Sequence, residues 1–331
     1  MELQQPPDRN LAMELVRATE AAALAAGRWM GRGDKNAADG AAVDAMRKVL
    51  NSVSMDGIVV IGEGEKDEAP MLFNGEVIGD GSFPQVDIAV DPIDGTTLTS
   101  LGRNGAISVI AVSERGTMFN PGPCVYMEKL AVGPEAAQVI DLDAPVKANL
   151  EAVAKALGEN VSDVTAMILD RPRHDDIVKE CREAGAQIQL IPDGDVAGAI
   201  EVAFADSGAN ILFGIGGTPE GVIAACALKA LGGEIHGRLW PRNEEERTAA
   251  LDQGYDLDRI LTADDLVAGD DIFFAASGIT GGDFLKRVTY RANGASTHSM
   301  VMRAKTGTIR KISTEHRWQK LAQLSALKFA N

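Results

Sequence analysis

Apolar residues recur at helical spacing, with many alanines, over 11–30. The pattern returns over 41–50, so the chain is expected to open with two helices and to carry Asp39 at the start of the second. The period then changes. Residues 58–61 form a β-branched run closed by Gly-Glu-Gly-Glu, and residues 86–90 form another closed by Asp-Pro-Ile-Asp-Gly, so acidic turns follow both predicted strands. Further strands are predicted at 106–112, 129–132, 165–169, 188–191, 211–213, 272–275 and 299–303, with helices between several of them. One helix is predicted over 219–231, with Thr218 as its N-cap and Pro219 in its first turn. Residues 239–259 are charged and helix-prone and read as a surface excursion. The mixture is α/β, and its strand–helix alternation becomes more regular after residue 149. Two closely packed α/β domains are expected, 1–149 and 150–331, without internal repeat, low-complexity tract or long linker.

Composition narrows the partners. The 331 residues are 45% hydrophobic and 24% charged, the balance of a globular chain with a sizeable core. No apolar run approaches the roughly 20 residues that span a bilayer, and residues 1–10 are polar, so a cytoplasmic protein is expected. Cys124, Cys181 and Cys226 lie in apolar segments and read as buried thiols. A net charge of −16 argues against nucleic acid or an anionic membrane as partner. It does not exclude a phosphate substrate, because carboxylates gathered around divalent cations make a site locally neutral or positive.

The stretch Asp91-Pro-Ile-Asp94-Gly-Thr-Thr97 is the most informative. Two acids three residues apart end a strand, Pro92 fixes the turn, Gly95 lets backbone approach a ligand, and Thr96 and Thr97 can open a helix with free N–H groups. Hard cations such as Mg²⁺ or Mn²⁺ want such oxygen ligands. Alone, the segment is equally an ordinary turn. Asp39 before Gly40, Glu63 within 62–65 and Glu220 within 216–221 each add an acid beside glycine or at a helix start. For each of these singly, a solvated acid or dipole stabilisation is the commoner outcome.

Taken in order, Gly31-Arg-Gly-Asp-Lys-Asn-Ala-Ala-Asp39-Gly, Ile61-Gly-Glu-Gly-Glu65, Asp91-Pro-Ile-Asp-Gly-Thr96, Ile191-Pro-Asp-Gly-Asp195 and Gly214-Ile-Gly-Gly-Thr-Pro-Glu220-Gly resemble the motifs of class II fructose-1,6-bisphosphatases. The similarity runs from about 9 to about 325. It implies the layered α/β/α/β/α fold of the lithium-sensitive sugar and inositol phosphatases. Asp39, Glu63, Asp91, Asp94 and Glu220 are then metal ligands for two or more Mg²⁺ or Mn²⁺ ions. Substrate contacts carried over are Asp94, Gly95, Thr96, Tyr126, Arg171, Pro172, Arg173, Asp193, Gly194, Asp195 and Gly217. Phe73 departs from the tyrosine often found there.

The residues read alone partly agree. Two arginines and His174 after a strand could bind a distal phosphate, although an exposed Arg pair is more often a solvated face. Asp193 and Asp195 could accept from sugar hydroxyls or simply make an Asx turn. The expected reaction is direct attack of water on the C1 phosphate, with Thr96 and Asp67 orienting the water, Glu63 in the catalytic set and Lys35 steadying developing charge. A sedoheptulose-1,7-bisphosphate activity is a second expectation, and a homotetramer or homodimer the expected assembly. Two alternatives stay open: an inositol-monophosphatase-like enzyme and a non-catalytic sugar-phosphate or metal sensor. Nucleotide-binding loops are not found.

Overall fold

The computed structural model describes residues 11–64 and 71–319. Its strands along the chain are β1 (Asp56–Ile61), β2 (Val77–Ile78), β3 (Gln85–Asp94), β4 (Ile107–Glu114), β5 (Tyr126–Val132), β6 (Thr165–Leu169), β7 (Gln187–Ile191), β8 (Ile211–Gly217), β9 (Glu234–Leu239), β10 (Phe273–Gly278), β11 (Thr289–Arg291), β12 (Gly294–Arg303) and β13 (Thr308–Arg317). The helices are α1 (Ala12–Ala26), α2 (Lys35–Leu50), α3 (Thr96–Leu101), α4 (Val146–Leu157), α5 (Asp175–Ala184), α6 (Val196–Glu201), α7 (Thr218–Leu231), α8 (Glu244–Asp252) and α9 (Ala263–Leu266).

Two sheets form. The larger has eight strands in the order β11-β12-β10-β4-β3-β1-β2, with β13 added on β12, and the smaller five in the order β7-β6-β8-β5-β9. Both are mixed: β1 runs parallel to β3, and β6 parallel to β7 and β8, among antiparallel neighbours. Helices α1 and α2 pack together, and α1 lies on β4, β10 and β12. The alanines of α1 let it approach the sheet closely. Between the sheets runs α7, in contact with β3, β4, β10 and β12 on one side and β5, β8 and β9 on the other. Val222 to Leu228 are all buried, so this helix is apolar all round, as a helix sandwiched between two sheets must be. Leu150 and Val153 of α4 and Cys181 of α5 close the outer face of the small sheet against Leu130, Ile168 and Phe213. The layers are therefore α/β/α/β/α, as the family resemblance implied.

Several expectations shift in detail. The first helix stops at Ala26 and becomes a short 3₁₀ turn. The second starts at Lys35, because the Asp34 side chain accepts from the Ala37 N–H at 2.9 Å and caps it there. Asp39 thus sits in the second turn rather than at the helix start. Thr218 is not a cap: Gly217 holds that position, and the Thr218 hydroxyl donates to the Cys124 carbonyl at 2.8 Å. Strands β9 and β13 were not foreseen, since both alternate polar with apolar residues and lack a β-branched run.

A cut at 149/150 does not coincide with the division between sheets. Strand β5, before it, belongs to the small sheet, and β10 to β13, after it, complete the large one. The physical reason is that β4 would otherwise expose an apolar edge, which β10 covers along its length. A fragment ending at residue 149 is therefore expected to show no cooperative thermal transition and to bind a hydrophobic dye. A sharp transition in that fragment would refute the interdependence of the two segments.

Candidate active site

A cavity of about 370 Å³ opens where β1, β3 and β8 end. Five of its acids come from four separate places: Asp39 from α2, Glu63 after β1, Asp91 and Asp94 from the end of β3, and Glu220 from the first turn of α7. Residues three apart on a regular strand point to opposite faces. Here the register against β4 slips, Asp91 opposing Val109 while Asp94 opposes Ile107, so one extra residue is accommodated. That bulge turns both carboxylates to the same side. Pro92 lies within the bulge, where its missing N–H breaks no ladder bond, and the Asp91 carboxylate accepts from the Ile93 N–H at 2.9 Å. Gly95 follows with φ of 93°, the left-handed turn that passes the chain from strand to α3. Glu63 is held by its backbone, its N–H donating to the Leu72 carbonyl at 2.9 Å.

Gathering these acids is electrostatically costly, and the carboxyls respond. Burial, then the neighbouring Asp39, push Glu63 up to about 8, and the Glu63 and Asp39 carboxyls share a hydrogen bond. Burial raises Asp39 as well. Asp91 is raised well above the carboxylate range by desolvation and then by Asp94, and Asp94 by desolvation and then by Asp195. Glu220 is raised by desolvation, which Lys129 partly offsets. No three His, Cys, Asp or Glu side chains among the described residues are drawn tightly enough to hold an ion as they stand. Two features fit hard divalent cations: every donor is a carboxylate oxygen, and Asp94 Oδ2 and Glu220 Oε2 are buried without a hydrogen-bond partner among the described residues.

Lys129 is the residue that sequence reading missed. It is buried on β5, donates to Asp195 at 2.6 Å and to the Gly217 carbonyl at 3.0 Å, and so fixes the floor between the acids and the small sheet. Its only signal was a lysine opening onto the apolar run Leu130-Ala-Val132. Glycines make room here: a Cβ at Gly194 would stand 2.9 Å from Asp94 Oδ1, and one at Gly217 would collide with the Glu220 carboxylate.

The remaining wall is cationic and aromatic. Arg171, Arg173, Asp193, Gly194, Asp195, Gly217, Gly95, Thr96 and Tyr126 all line the cavity. The guanidinium of Arg171 donates to the carbonyls of Asp170 and Pro192 and pairs with Asp193 at 3.1 Å. Arg173 donates twice to the Ile215 carbonyl and lies 5.3 Å from the Tyr126 ring centre. Asp193 also accepts from the Thr97 N–H at 3.2 Å, tying this wall to α3. Thr96 makes one bond of 3.2 Å, to the Ile93 carbonyl. Pro172 sits in the 3₁₀ turn behind the two arginines. Lys35 does not line the cavity, but its ammonium donates to the Thr97 hydroxyl at 2.8 Å. Asp67 lies outside the described residues. His174 is a correction: it is buried, Nδ1 donates to the Leu169 carbonyl and Nε2 accepts from the Ile215 N–H, so both nitrogens are spent on backbone. Burial holds its pKa below the ordinary value. A neutral, doubly bonded ring cannot bind a phosphate.

A sequence profile of the family described as bacterial fructose-1,6-bisphosphatase, glpX-encoded, matches residues 9–316. The chain is 49% identical over 324 residues to the class 2 fructose-1,6-bisphosphatase of Haemophilus influenzae, covering 93% of this chain and 96% of that one. It is 47% identical over 321 residues to fructose-1,6-bisphosphatase 1 class 2 of Escherichia coli K12, covering 93% and 95%. Among solved structures, the extragenic suppressor protein suhB of Bartonella henselae matches 61% of this chain and 74% of its own, at 15% identity and a TM-score of 0.33.

The carboxyl shifts carry a sign for stability. Groups held above their unfolded values stabilise the fold fully below about 4.5 and lose that contribution as pH rises toward about 8, the window set by Glu63. Chelator-treated protein is therefore expected to lose several degrees of Tm across this range, and added divalent cation to restore them. Asp94→Asn should raise the chelated Tm at pH 8 and blunt the response to cation. A chelated Tm that climbs from pH 5 to 8 would refute this.

Proposed function

The chain belongs to the bacterial glpX-encoded fructose-1,6-bisphosphatase family, and from that premise we propose that it removes the C1 phosphate of fructose 1,6-bisphosphate, yielding fructose 6-phosphate and inorganic phosphate in gluconeogenesis. The observation that carries the reading is the meeting of five carboxylates with two guanidiniums in one cavity sized for a small sugar. A bisphosphate needs charge neutralisation at both of its ends.

The enzyme is a metal-dependent phosphoric monoester hydrolase. The finer assignment is to Asp39, Glu63, Asp91, Asp94 and Glu220 as the residues that would hold two or more Mg²⁺ or Mn²⁺ ions. When bound, such ions neutralise the transferring phosphoryl group and favour ionisation of the attacking water. The protein supplies alignment. The weakly engaged Thr96 hydroxyl can swing to a water in line with the bond from phosphorus to the C1 oxygen, with Asp67 as its partner. The water oxygen adds to phosphorus and gives up a proton, the C1 oxygen leaves with the bonding pair and takes up a proton to become a hydroxyl, and no covalent phosphoenzyme forms. Lys35, fixed on Thr97, steadies the developing charge. Asp193, Asp195 and the backbone at Gly95, Gly194 and Gly217 receive the sugar, while Tyr126, Arg171 and Arg173, with Pro172 setting the turn, face the distal phosphate. Sedoheptulose 1,7-bisphosphate, which presents the same two ends, is read as a second substrate.

The compartment we infer is the cytoplasm, which the three unpaired buried cysteines support. We read the assembly as a homodimer or homotetramer. Exposed Phe83 and Val77 near the β2 edge offer apolar surface to a second copy, and a single-chain mass by light scattering would refute it.

Purified protein should release phosphate from fructose 1,6-bisphosphate only with Mg²⁺ or Mn²⁺ and cease on chelation. Inositol phosphate and fructose 6-phosphate serve as controls. Preference for inositol phosphate, or inactivity on all three, would overturn the proposal. Thr96→Ala should lower kcat by roughly 100-fold or more with KM little changed and the circular dichroism intact. Near-normal kcat removes Thr96 from the mechanism.

A further inference from the structure

The two arginines that face the distal phosphate are not equally available. Arg171 already serves three acceptors, the Asp170 and Pro192 carbonyls and the Asp193 carboxylate, so its guanidinium is largely committed to holding the 192–194 loop. Arg173 is different. Its Nε and Nη2 share the single carbonyl of Ile215, and Nη1 has no hydrogen-bond partner among the described residues. A phosphate dianion held by one such group would be half-neutralised.

Arg242 repeats the arrangement of Arg173. It stands two residues beyond Trp240, whose ring stacks on Tyr126 at 6.4 Å. Its Nε donates to Glu246 Oε1 at 2.7 Å, its Nη2 to the same oxygen, and its backbone N–H to Glu246 Oε2 at 2.8 Å. Glu246 is itself locked by the first turn of α8, where its N–H donates to the Asn243 side chain at 2.8 Å. The guanidinium is thus fixed on one edge, with Nη1 unused among the described residues. Its carbon lies 5.5 Å from the Tyr126 ring centre, beside the 5.3 Å of Arg173. Two pinned guanidiniums therefore converge on one ring of the cavity wall, each with donors to spare. Arg242 is not itself part of the cavity lining, but half of its side chain is exposed and it adjoins the cavity through Tyr126.

We propose that Arg242 is the second arm of the clamp on the phosphate distal to the reacting one, acting with Arg173 across Tyr126, while Arg171 is a positioning residue for the Asp193 loop. The inference rests on the proposed substrate and deepens it: the clamp selects sugar bisphosphates over monophosphates esterified only at the reacting end. A purely local role, stacking on Tyr126 and bracing α8, would instead make Arg242 matter for folding but not for selectivity.

The test compares Arg242→Gln with the parent enzyme on fructose 1,6-bisphosphate and on fructose 1-phosphate, which lacks the distal group. Loss of charge-assisted hydrogen bonds should raise KM for the bisphosphate roughly 10- to 100-fold with kcat little changed. The parameters for fructose 1-phosphate should stay within about twofold of the parent values. Arg242→Lys, which keeps the charge and loses the fork, should fall between. Equal losses on both substrates, or an unchanged KM for the bisphosphate, would overturn the assignment. Calorimetric titration with fructose 6-phosphate reads the same contact without turnover, and a Kd unaltered by Arg242→Gln would also overturn it. Failure of the parent enzyme to hydrolyse the bisphosphate would instead refute the proposed reaction, with the titration still deciding on Arg242.

Discussion

Mutual repulsion among five carboxylates, in a cavity that also strips them of water, is the force around which this molecule is arranged. Burial and mutual repulsion raise these carboxyl groups, Glu63 to about 8, and Asp94 Oδ2 and Glu220 Oε2 stand unpartnered among the described residues. Both responses mark a site whose resting electrostatics are unfavourable in the absence of cations. The surrounding protein has to hold the acids in place against that force. Each is accordingly anchored at a strand end, in a helix turn or by a backbone bond to a neighbouring loop.

The layered fold supplies this rigidity. The bulge at Pro92 is affordable because β3 lies deep in the large sheet, with β1 and β4 fixing it on both sides. Helix α7 presents Glu220 at its start and is buried from there onward, so the carboxylate rides on the best-packed element of the middle layer. Return of the chain to add β10 to β13 closes the large sheet around β4. Lys129 then couples the layers: one buried ammonium bonds Asp195 and the Gly217 carbonyl, and loss of either partner would strand a charge out of reach of water.

A protein with a net charge of −16 can nonetheless bind a polyanion, because recognition is local. The guanidiniums near Tyr126 are set by backbone carbonyls and by Glu246 rather than left to search for a partner, which lowers the entropy lost when an anion arrives. On the opposite part of the cavity, bound cations would reverse the sign of the acidic cluster. With cations bound, the long-range field and the field inside the pocket would differ in sign.

Much of this was legible along the chain. The β-branched runs gave the central strands of both sheets, because buried strands need continuous apolar character, and the acid–glycine turns marked the ends at which the cavity lies. Motif order carried the family and with it the five acids. What the chain could not reveal depends on contacts distant in sequence. Strand β13 is polar and exists only because β12 pairs with it along ten residues. Residue 149 looks like a boundary locally, yet strands from beyond it finish the first sheet. His174 reads as a phosphate ligand beside two arginines, but folding spends both its nitrogens on backbone. Lys129 and Arg242 carry no local motif and become meaningful only through Asp195, Glu246 and Tyr126. Periodicity and turn chemistry act between near neighbours and are written in order along the chain, whereas burial, ion pairing and the use of a donor are settled by whatever the fold brings alongside.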